Sequence, residues 1–97
     1  MASKSNKYRL TLEQVAIIKD DLKKSEPIIL EFENHDEIFK IVDALREKNL
    51  FINDNDSTEF AIGLKMFSEV LIKNRENNLF QEFLPAFKEF MKKLKSK

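Results

Sequence analysis

The sequence predicts an α+β fold in which an N-terminal two-stranded antiparallel hairpin is followed by three to four helices packed around one core. Two short runs before residue 34 have the alternation or the β-branched composition of strands, and the rest of the chain has apolar residues at helical spacing. Ninety-seven residues suffice for one domain with a single core. We therefore expect a single domain over residues 1–97, with a mobile start at 1–6, a β-hairpin at 7–33 and a helical part at 34–97.

The composition excludes several classes of function. Hydrophobic residues make up 42% and charged residues 35%, which is typical of a globular domain. Seventeen Lys and Arg balance seventeen Asp and Glu, so no net field attracts nucleic acid or anionic lipid, and we expect no nucleic-acid or membrane partner. The absence of cysteine and the single histidine argue against a metal site, and no motif indicates a cofactor. No stretch resembles a signal peptide or a membrane span, which predicts a cytoplasmic protein.

The first β-like run begins with "YRLTL" at residues 8–12, where apolar and polar side chains alternate as in a half-buried strand. Thr11 and Gln14 also fit the capping box of a helix to Lys24, so the sequence leaves residues 11–24 open between strand with loop and helix. The second run, "PIILEFE", is β-branched and aromatic. A lone strand leaves its backbone groups unpaired, so we pair the two runs as an antiparallel hairpin.

The segment "NHDE" after the second run has the residues of a helix start. Asn34 fits the N-cap position, and Glu37, three residues later, completes a capping box. Apolar residues at helical spacing then predict a helix over residues 35–48. Asn49 is expected to end this helix in a left-handed conformation.

The central helix contains Gly63, the single glycine of the chain. Asp56 or Ser57 is expected to cap this helix, and the helical phase extends to Arg75. The face predicted to be buried is centred on Phe60, Leu64, Phe67 and Leu71, with Gly63 and Val70 beside them. A buried glycine admits a close neighbour, so Gly63→Ala is expected to destabilise the fold by about 1 to 3 kcal/mol through overpacking.

The last segment keeps one helical phase across Pro85. A proline removes a helical hydrogen bond and clashes with the preceding turn, so we expect a short first helix, a break near Leu84 and a second helix to about Lys95. The apolar side chains cover an arc of about 160°, which is wider than one neighbouring element hides. These residues are Leu79, Phe80, Phe83, Leu84, Phe87, Phe90, Met91 and Leu94. The surplus of apolar surface is evidence for a partner.

The most suggestive chemical cluster combines Arg9, His35 and Asp36. Histidine titrates near neutral pH, His35 adjoins Asp36, and Arg9 could meet both across the hairpin. Helix capping explains "NHDE" without a site, and adjacent helical residues point about 100° apart, so we favour a structural role. Lys65 and Glu69, on the solvated face of the central helix, complete the candidate ligand-binding residues. No residue is assigned as catalytic or as a metal ligand.

Four segments of the chain carry a family resemblance. They are "YRL" near the start, "LEFENHDEI" between strand and helix, "GLKMFSEVL" in the middle and "RENNLFQEFLPAFKEFMKKLK" at the end. In this order and spacing they resemble a family of short bacterial proteins known as a domain of unknown function, and they cover nearly the whole chain. The resemblance implies an α+β fold with a hairpin followed by helices, and it implies no activity.

We expect a small non-enzymatic interaction or self-association domain whose partner is a second copy or another protein. A two-stranded sheet leaves both outer edges unpaired, so the interface would be one of these edges or the wide final helix. A symmetric homodimer is the commonest arrangement. The alternative is a small-ligand-binding or catalytic domain that uses Arg9, His35 and Asp36, and it requires these groups to converge at a pocket.

Overall fold

The structure is a computed structural model, and it describes residues 4–18 and 23–97. In these residues the elements follow in the order β1 (Asn6–Leu12), β2 (Ile28–Asn34), α1 (Ile38–Glu47), α2 (Asp54–Lys73), α3 (Asn78–Gln81) and α4 (Leu84–Lys95). The predicted α+β fold, a two-stranded antiparallel sheet followed by helices, is confirmed in the described part of the chain.

The chain falls into two compact units. We call them the hairpin unit, which extends to Asp36, and the helical unit, from Glu37 to Lys97. The single domain expected from the chain length stays a prediction. Of the expected mobile start, residues 1–3 lie outside the described residues, and Asn6 already belongs to β1.

Most apolar side chains of the hairpin lie on one face, because successive strand residues point to opposite sides. On one face the opposed pairs are Tyr8 with Phe32, Leu10 with Leu30 and Leu12 with Ile28, and we call these six residues the hairpin apolar face. On the other face Arg9 opposes Glu31. The rings of Tyr8 and Phe32 stack with their centroids 5.5 Å apart. This register confirms the predicted pairing of the two runs.

The segment that the sequence left open, residues 11–24, is strand only as far as Leu12. Residues 13–18 and 23–27 are neither helix nor strand, and residues 19–22 lie outside the described residues. The backbone N–H of Ser25 donates to Oε1 of Gln14. The described part of the segment therefore follows the alternative of strand with loop.

Helix α1 begins later than predicted and has a different cap. The cap is Glu37, whose Oε1 accepts from the backbone N–H of Phe39 at 3.0 Å. The prediction that Asn34 caps the helix is wrong, because its Oδ1 accepts the N–H of Asp36 at 2.9 Å in the bend before the helix. Such an Asx turn competes with capping for the same side-chain oxygen. Asn49 does end the helix with a positive φ of 52°, as predicted.

Helix α2 also has a cap that differs from the prediction. Oδ1 of Asn53 accepts from the N–H of Asn55 at 2.8 Å, so neither Asp56 nor Ser57 is the N-cap. Capping three residues earlier allows α2 to begin at Asp54. Asp56 then lies in the first turn, where a negative charge is favourable next to the helix dipole.

The predicted position of Gly63 in the core is wrong. Gly63 is exposed, and a Cβ placed on it would meet no atom within 4 Å. The buried residues of α2 are Ser57, Ala61, Ser68 and Leu71. At 100° per residue this buried face is turned by about 60° from the one predicted, away from Phe67 and Gly63. Small side chains occupy most of the buried positions, and a pattern read from the large apolar residues alone misses them.

The core of the helical unit joins three helices. Leu45 of α1, Ala61 of α2 and Leu94 of α4 form its buried centre. Partly buried residues pack around them, namely Ile41, Val42, Leu50, Phe60, Leu64 and Met91. Among the helices of the described residues, none combines the length and the apolar character needed to cross a bilayer.

Pro85 divides the last segment as predicted. The short helix α3 ends at Gln81, and α4 begins at Leu84 with Pro85 in its first turn. The first N–H groups of a helix have no partner within it, so a proline there costs no hydrogen bond. Aromatic residues on both sides of Pro85, Phe80 and Phe87, contact the ring of Phe67 in α2.

Candidate interaction surfaces

The residues of the predicted ligand cluster have separate structural contacts. Nη2 of Arg9 lies 3.4 Å from Oε2 of Glu31, its opposed neighbour, and the two side chains are 67% and 72% exposed. His35 follows Asn34, which pairs with Asn6 three residues along β1 from Arg9. At about 3.3 Å per residue, the pair of Asn6 and Asn34 lies about 10 Å along the strands from Arg9. The pairing that the hypothesis needed between Arg9 and His35 is therefore not favoured by the register.

Asp36 takes part in the bend after β2 through its backbone. Its carbonyl oxygen accepts from the hydroxyl of Tyr8 at 3.0 Å and from Nδ2 of Asn6 at 3.3 Å. Its N–H donates to Asn34, which is only 2% exposed. These contacts anchor the end of the hairpin and support the structural role favoured for "NHDE". The use of His35 and Asp36 to bind a ligand stays a prediction.

Lys65 and Glu69 lie on α2 in the helical unit, and both are half-buried. The carbonyl oxygen of Lys65 accepts from the hydroxyl of Ser68 at 3.3 Å. Within residues 4–18 and 23–97, no group of three or more His, Asp or Glu side chains has the arrangement to hold a metal ion. The predicted role of Lys65 and Glu69 in binding a ligand likewise stays a prediction.

Two contiguous groups of phenylalanine rings line α2 and α4. In the first group, the ring of Phe60 lies with its centroid 5.4 Å from that of Phe51 and 6.2 Å from that of Phe90. In the second, the ring of Phe67 lies 6.0 Å from that of Phe83 and 6.3 Å from those of Phe80 and Phe87. Edge-to-face contacts of this kind are favourable between aromatic rings.

Four of these rings remain substantially exposed, and we call them the aromatic face. They are Phe51 at 38%, Phe67 at 44%, Phe83 at 42% and Phe90 at 44%. The sequence predicted the surplus on the final helix but placed Phe67 in the core. Phe51 was missed in the sequence because it lies in a loop, where helical periodicity gives no signal. The signal in the sequence that could have found it is its position just after Asn49, which ends α1.

A groove of about 530 Å³ runs along α2 beside the aromatic face, and we call it the acidic groove. Phe51, Phe60 and Phe67 line it, and the exposed backbone of Gly63 lies among them. Its lining also includes two acidic residues, Asp56 and Glu59. Gly63 therefore contributes an open space to the surface, where every other residue type would place a side chain.

A second groove, of about 420 Å³, is also lined by Phe51 and Phe60, and we call it the basic groove. Phe90 and Leu94 form its α4 side. Its lining also includes two basic residues of the C-terminal region, Lys93 and Lys97. The two grooves share the rings of Phe51 and Phe60, and acidic residues belong to one groove and basic residues to the other.

The hairpin apolar face is a further exposed apolar surface of the described residues. Leu12 and Ile28 are 63% and 62% exposed, and Leu30 is 42% exposed. In the described residues the sheet consists of β1 and β2 alone, so each strand has an edge without a strand partner there. Free edges and an apolar face are features of sheets that accept a further strand.

Comparison with known proteins identifies the family but no activity. The family model described as a domain of unknown function with a solved structure, DUF3861, matches residues 6–96. A crystal structure of a protein of unknown function from Pectobacterium atrosepticum is 31% identical, covers 96% of this chain and 99% of its own, and has a TM-score of 0.82. The comparison with curated proteins finds no match. The resemblance inferred from the four sequence segments is confirmed.

Proposed function

This chain belongs to the DUF3861 family of domains of unknown function, and we propose that it is a non-catalytic self-association domain that forms a homodimer. The observation that supports the proposal is the aromatic face. Its four rings, Phe51, Phe67, Phe83 and Phe90, are each more than one-third exposed. Aromatic side chains are enriched in protein interfaces, where they fill pockets on the partner.

The free energy available from this surface is of the size that association requires. Covering the exposed part of one phenylalanine contributes about 2 kcal/mol, at about 25 cal/mol per Å² of apolar surface. With four such rings in each of two copies, complete burial sums to about 16 kcal/mol, which is comparable to the cost of immobilising two proteins. Burial of the aromatic face against a second copy is therefore favourable in free energy.

A protein surface fits the grooves better than a small ligand does. Small-molecule sites orient their ligands with a few convergent polar groups placed inside a mostly apolar pocket. Here the charged groups, Asp56 and Glu59 in one groove and Lys93 and Lys97 in the other, are exposed. This arrangement matches the apolar centre and polar rim of protein interfaces.

Sedimentation equilibrium over the micromolar range tests the proposal directly. We expect a mass that rises with concentration toward twice the 11.5 kDa of the chain. Phe90→Lys should shift the equilibrium toward monomer. Leu79→Lys is the matched control, because Leu79 is 76% exposed on α3 but lines neither groove. A parent chain that stays monomeric throughout the range would overturn the proposal.

A second candidate function is the binding of an extended segment of another protein at the hairpin. The observation that favours it is the exposure of Leu12, Ile28 and Leu30 in a sheet with unpaired edges in its described part. An added strand supplies backbone hydrogen bonds, and the apolar face supplies side-chain contacts. A two-stranded hairpin is by itself marginally stable, so an added strand would stabilise it.

One pair of variants tests which of the two surfaces forms the dimer. Leu12→Lys with Ile28→Lys places two charges on the hairpin apolar face and leaves the aromatic face unchanged. If the aromatic face forms the dimer, this double variant should sediment like the parent and Phe90→Lys should not. The reverse result would assign self-association to the hairpin. Circular dichroism spectra of both variants establish that each is folded.

A further inference from the structure

We propose that the acidic groove of one copy receives the C-terminal part of α4 from the partner subunit, and that the reciprocal contact forms at the same time. The inference rests on the proposed function, because it requires a homodimer. It adds the occupant of the groove and the orientation of the two copies. In this arrangement Lys93 and Lys97 of the partner subunit face Asp56 and Glu59.

The distribution of charge supports this orientation. The acidic and basic grooves share the rings of Phe51 and Phe60, and beyond these rings the acidic groove is lined by α2 and the basic groove mainly by the C-terminal part of α4. In a two-fold symmetric contact, residue i of one copy meets residue j of the other and j meets i. In the proposed dimer a two-fold axis lies close to the shared rings, and each acidic groove lies opposite a basic groove, twice in one interface.

A second copy offers charges of the opposite sign to both grooves. An unrelated partner that carries charges of a single sign does not. A basic partner would match Asp56 and Glu59 but would be repelled by Lys93 and Lys97, and an acidic partner would have the opposite difficulty. The chain carries seventeen positive and seventeen negative side chains, so two copies have no net repulsion to overcome. Charge complementarity thus favours self-association over binding to a uniformly charged partner.

The exposed backbone at Gly63 supports the same occupant. A Cβ at this position would meet no atom of the chain within 4 Å, so packing inside the chain does not account for the glycine. In the helix, Phe60 and Phe67 lie three residues before and four residues after Gly63, on the neighbouring turns of the same side. The missing side chain between the two rings leaves space for an element of the partner to approach α2 closely. The ring of Phe90 of the partner subunit, 44% exposed beside the basic groove, fits such a space.

Charge reversal with exchange of partners tests the orientation. The first variant, called the all-basic variant, is Asp56→Lys with Glu59→Lys. The second, called the all-acidic variant, is Lys93→Glu with Lys97→Glu. Each alone would oppose like charges in both contacts of its homodimer, so we expect its dissociation constant to rise at least about tenfold.

The mixture of the two variants is the decisive measurement. In a heterodimer, the lysines of the all-basic variant face the introduced glutamates of its partner, and the native carboxylates face the native lysines. We expect the mixture to form heterodimers with close to the parent affinity, measured by sedimentation of one fluorescently labelled variant. The chain that carries all four substitutions should likewise dimerise with itself, and high salt should weaken the parent dimer.

The shape of the acidic groove is tested separately by Gly63→Leu. A Cβ at this position meets no atom of its own chain within 4 Å, and we expect the variant to fold like the parent, which circular dichroism checks. Its dimer dissociation constant should rise at least about tenfold, because the leucine fills the groove. Lys73→Leu is the matched control, since Lys73 is exposed on the same helix and lines neither groove.

The outcomes distinguish this inference from the proposed function. A parent chain that remains monomeric overturns both. A parent dimer whose affinity is unchanged by both charge reversals and by Gly63→Leu keeps the proposed function and overturns the orientation. A dimer weakened by both reversals but not restored in their mixture also overturns the orientation, because general electrostatics would then explain the loss.

Discussion

The hairpin unit and the helical unit cover their apolar side chains to very different extents. Leu12 and Ile28 in the hairpin are 63% and 62% exposed, whereas Leu45 and Leu71 in the helices are 5% and 0% exposed. Each strand of a two-stranded sheet has one neighbour, which lies beside it and covers neither of its faces. A helix, in contrast, buries a stripe of its surface against each helix it contacts.

The difference shows where each unit obtains its stability. The helical unit has a buried centre of Leu45, Ala61 and Leu94, and burial of a large aliphatic side chain contributes about 1.5–3 kcal/mol. The hairpin relies on backbone hydrogen bonds and on opposed pairs such as Tyr8 with Phe32, each worth about 0.2–1 kcal/mol. Substitutions should therefore have unequal effects in the two units, and four of them test this.

The largest effect is expected for Leu71→Ala. Leu71 is fully buried in α2, so the substitution removes its transfer free energy and leaves a cavity, which together cost about 2–5 kcal/mol of unfolding free energy. Leu12→Ala in the hairpin should cost less than about 1 kcal/mol, because Leu12 is 63% exposed. Urea denaturation of both variants measures the two losses. Equal losses would contradict the comparison of the units.

Asn34→Ala should have the next largest effect, and it tests the part of the hairpin unit that is buried. Asn34 is 2% exposed, and its Oδ1 accepts from the N–H of Asp36 at 2.9 Å. Its removal deprives this N–H of its partner and should cost about 1–2 kcal/mol. Asn34→Asp keeps an acceptor oxygen and serves as the control in thermal unfolding. A variant with alanine that melts like the parent would show that the bend is held by other contacts.

Gly63→Ala is expected to stabilise the helical unit, opposite to the expectation from the sequence. The new Cβ meets no atom within 4 Å, so the higher helix propensity of alanine should add about 1 kcal/mol. The melting temperature should rise by about 4–8 °C for a chain of this size. The measurement is made at a concentration low enough that the chain is monomeric. A lower melting temperature would restore the interpretation of Gly63 as a packing position.

Arg9→Ala should have the smallest effect. The Arg9 and Glu31 side chains are 67% and 72% exposed, and exposed ion pairs of this kind contribute at most about 0.5–1 kcal/mol. A double-mutant cycle with Glu31→Ala isolates the coupling between them. A coupling above about 2 kcal/mol would show that the charged face of the hairpin is more important to the fold than its exposure indicates.

Parts of the molecule that depend on local chemistry were predictable from the sequence. The pairing of the two β-like runs follows from their alternation, the break at Pro85 from its missing N–H, and the end of α1 at Asn49 from the tolerance of asparagine for positive φ. The helix starts were predicted less well. Asn34 and Asn53 both carry capping side chains, and which N–H each accepts depends on the backbone path around it.

The candidate surfaces were predictable only in part. The wide apolar arc of the final segment indicated that some phenylalanines would lack cover, and Phe83 and Phe90 are indeed exposed. The grooves were not predictable, because each combines residues distant in sequence, such as Phe51 and Phe67 or Phe60 and Lys97. In the sequence, the charged residues of the two grooves have the pattern of ordinary solvated helix surfaces.

The amino-acid sequence by itself determined the α+β class, the order of the elements and the family, because turn chemistry and hydrophobic periodicity act over a few residues. Only the tertiary structure decided which side of α2 is buried. The small side chains of Ser57, Ala61 and Ser68 lie inside, while Phe67 and Gly63 lie outside. Close packing of helices depends on the fit of shapes. Small residues therefore occupy buried positions that a hydrophobicity scale alone would assign to phenylalanine.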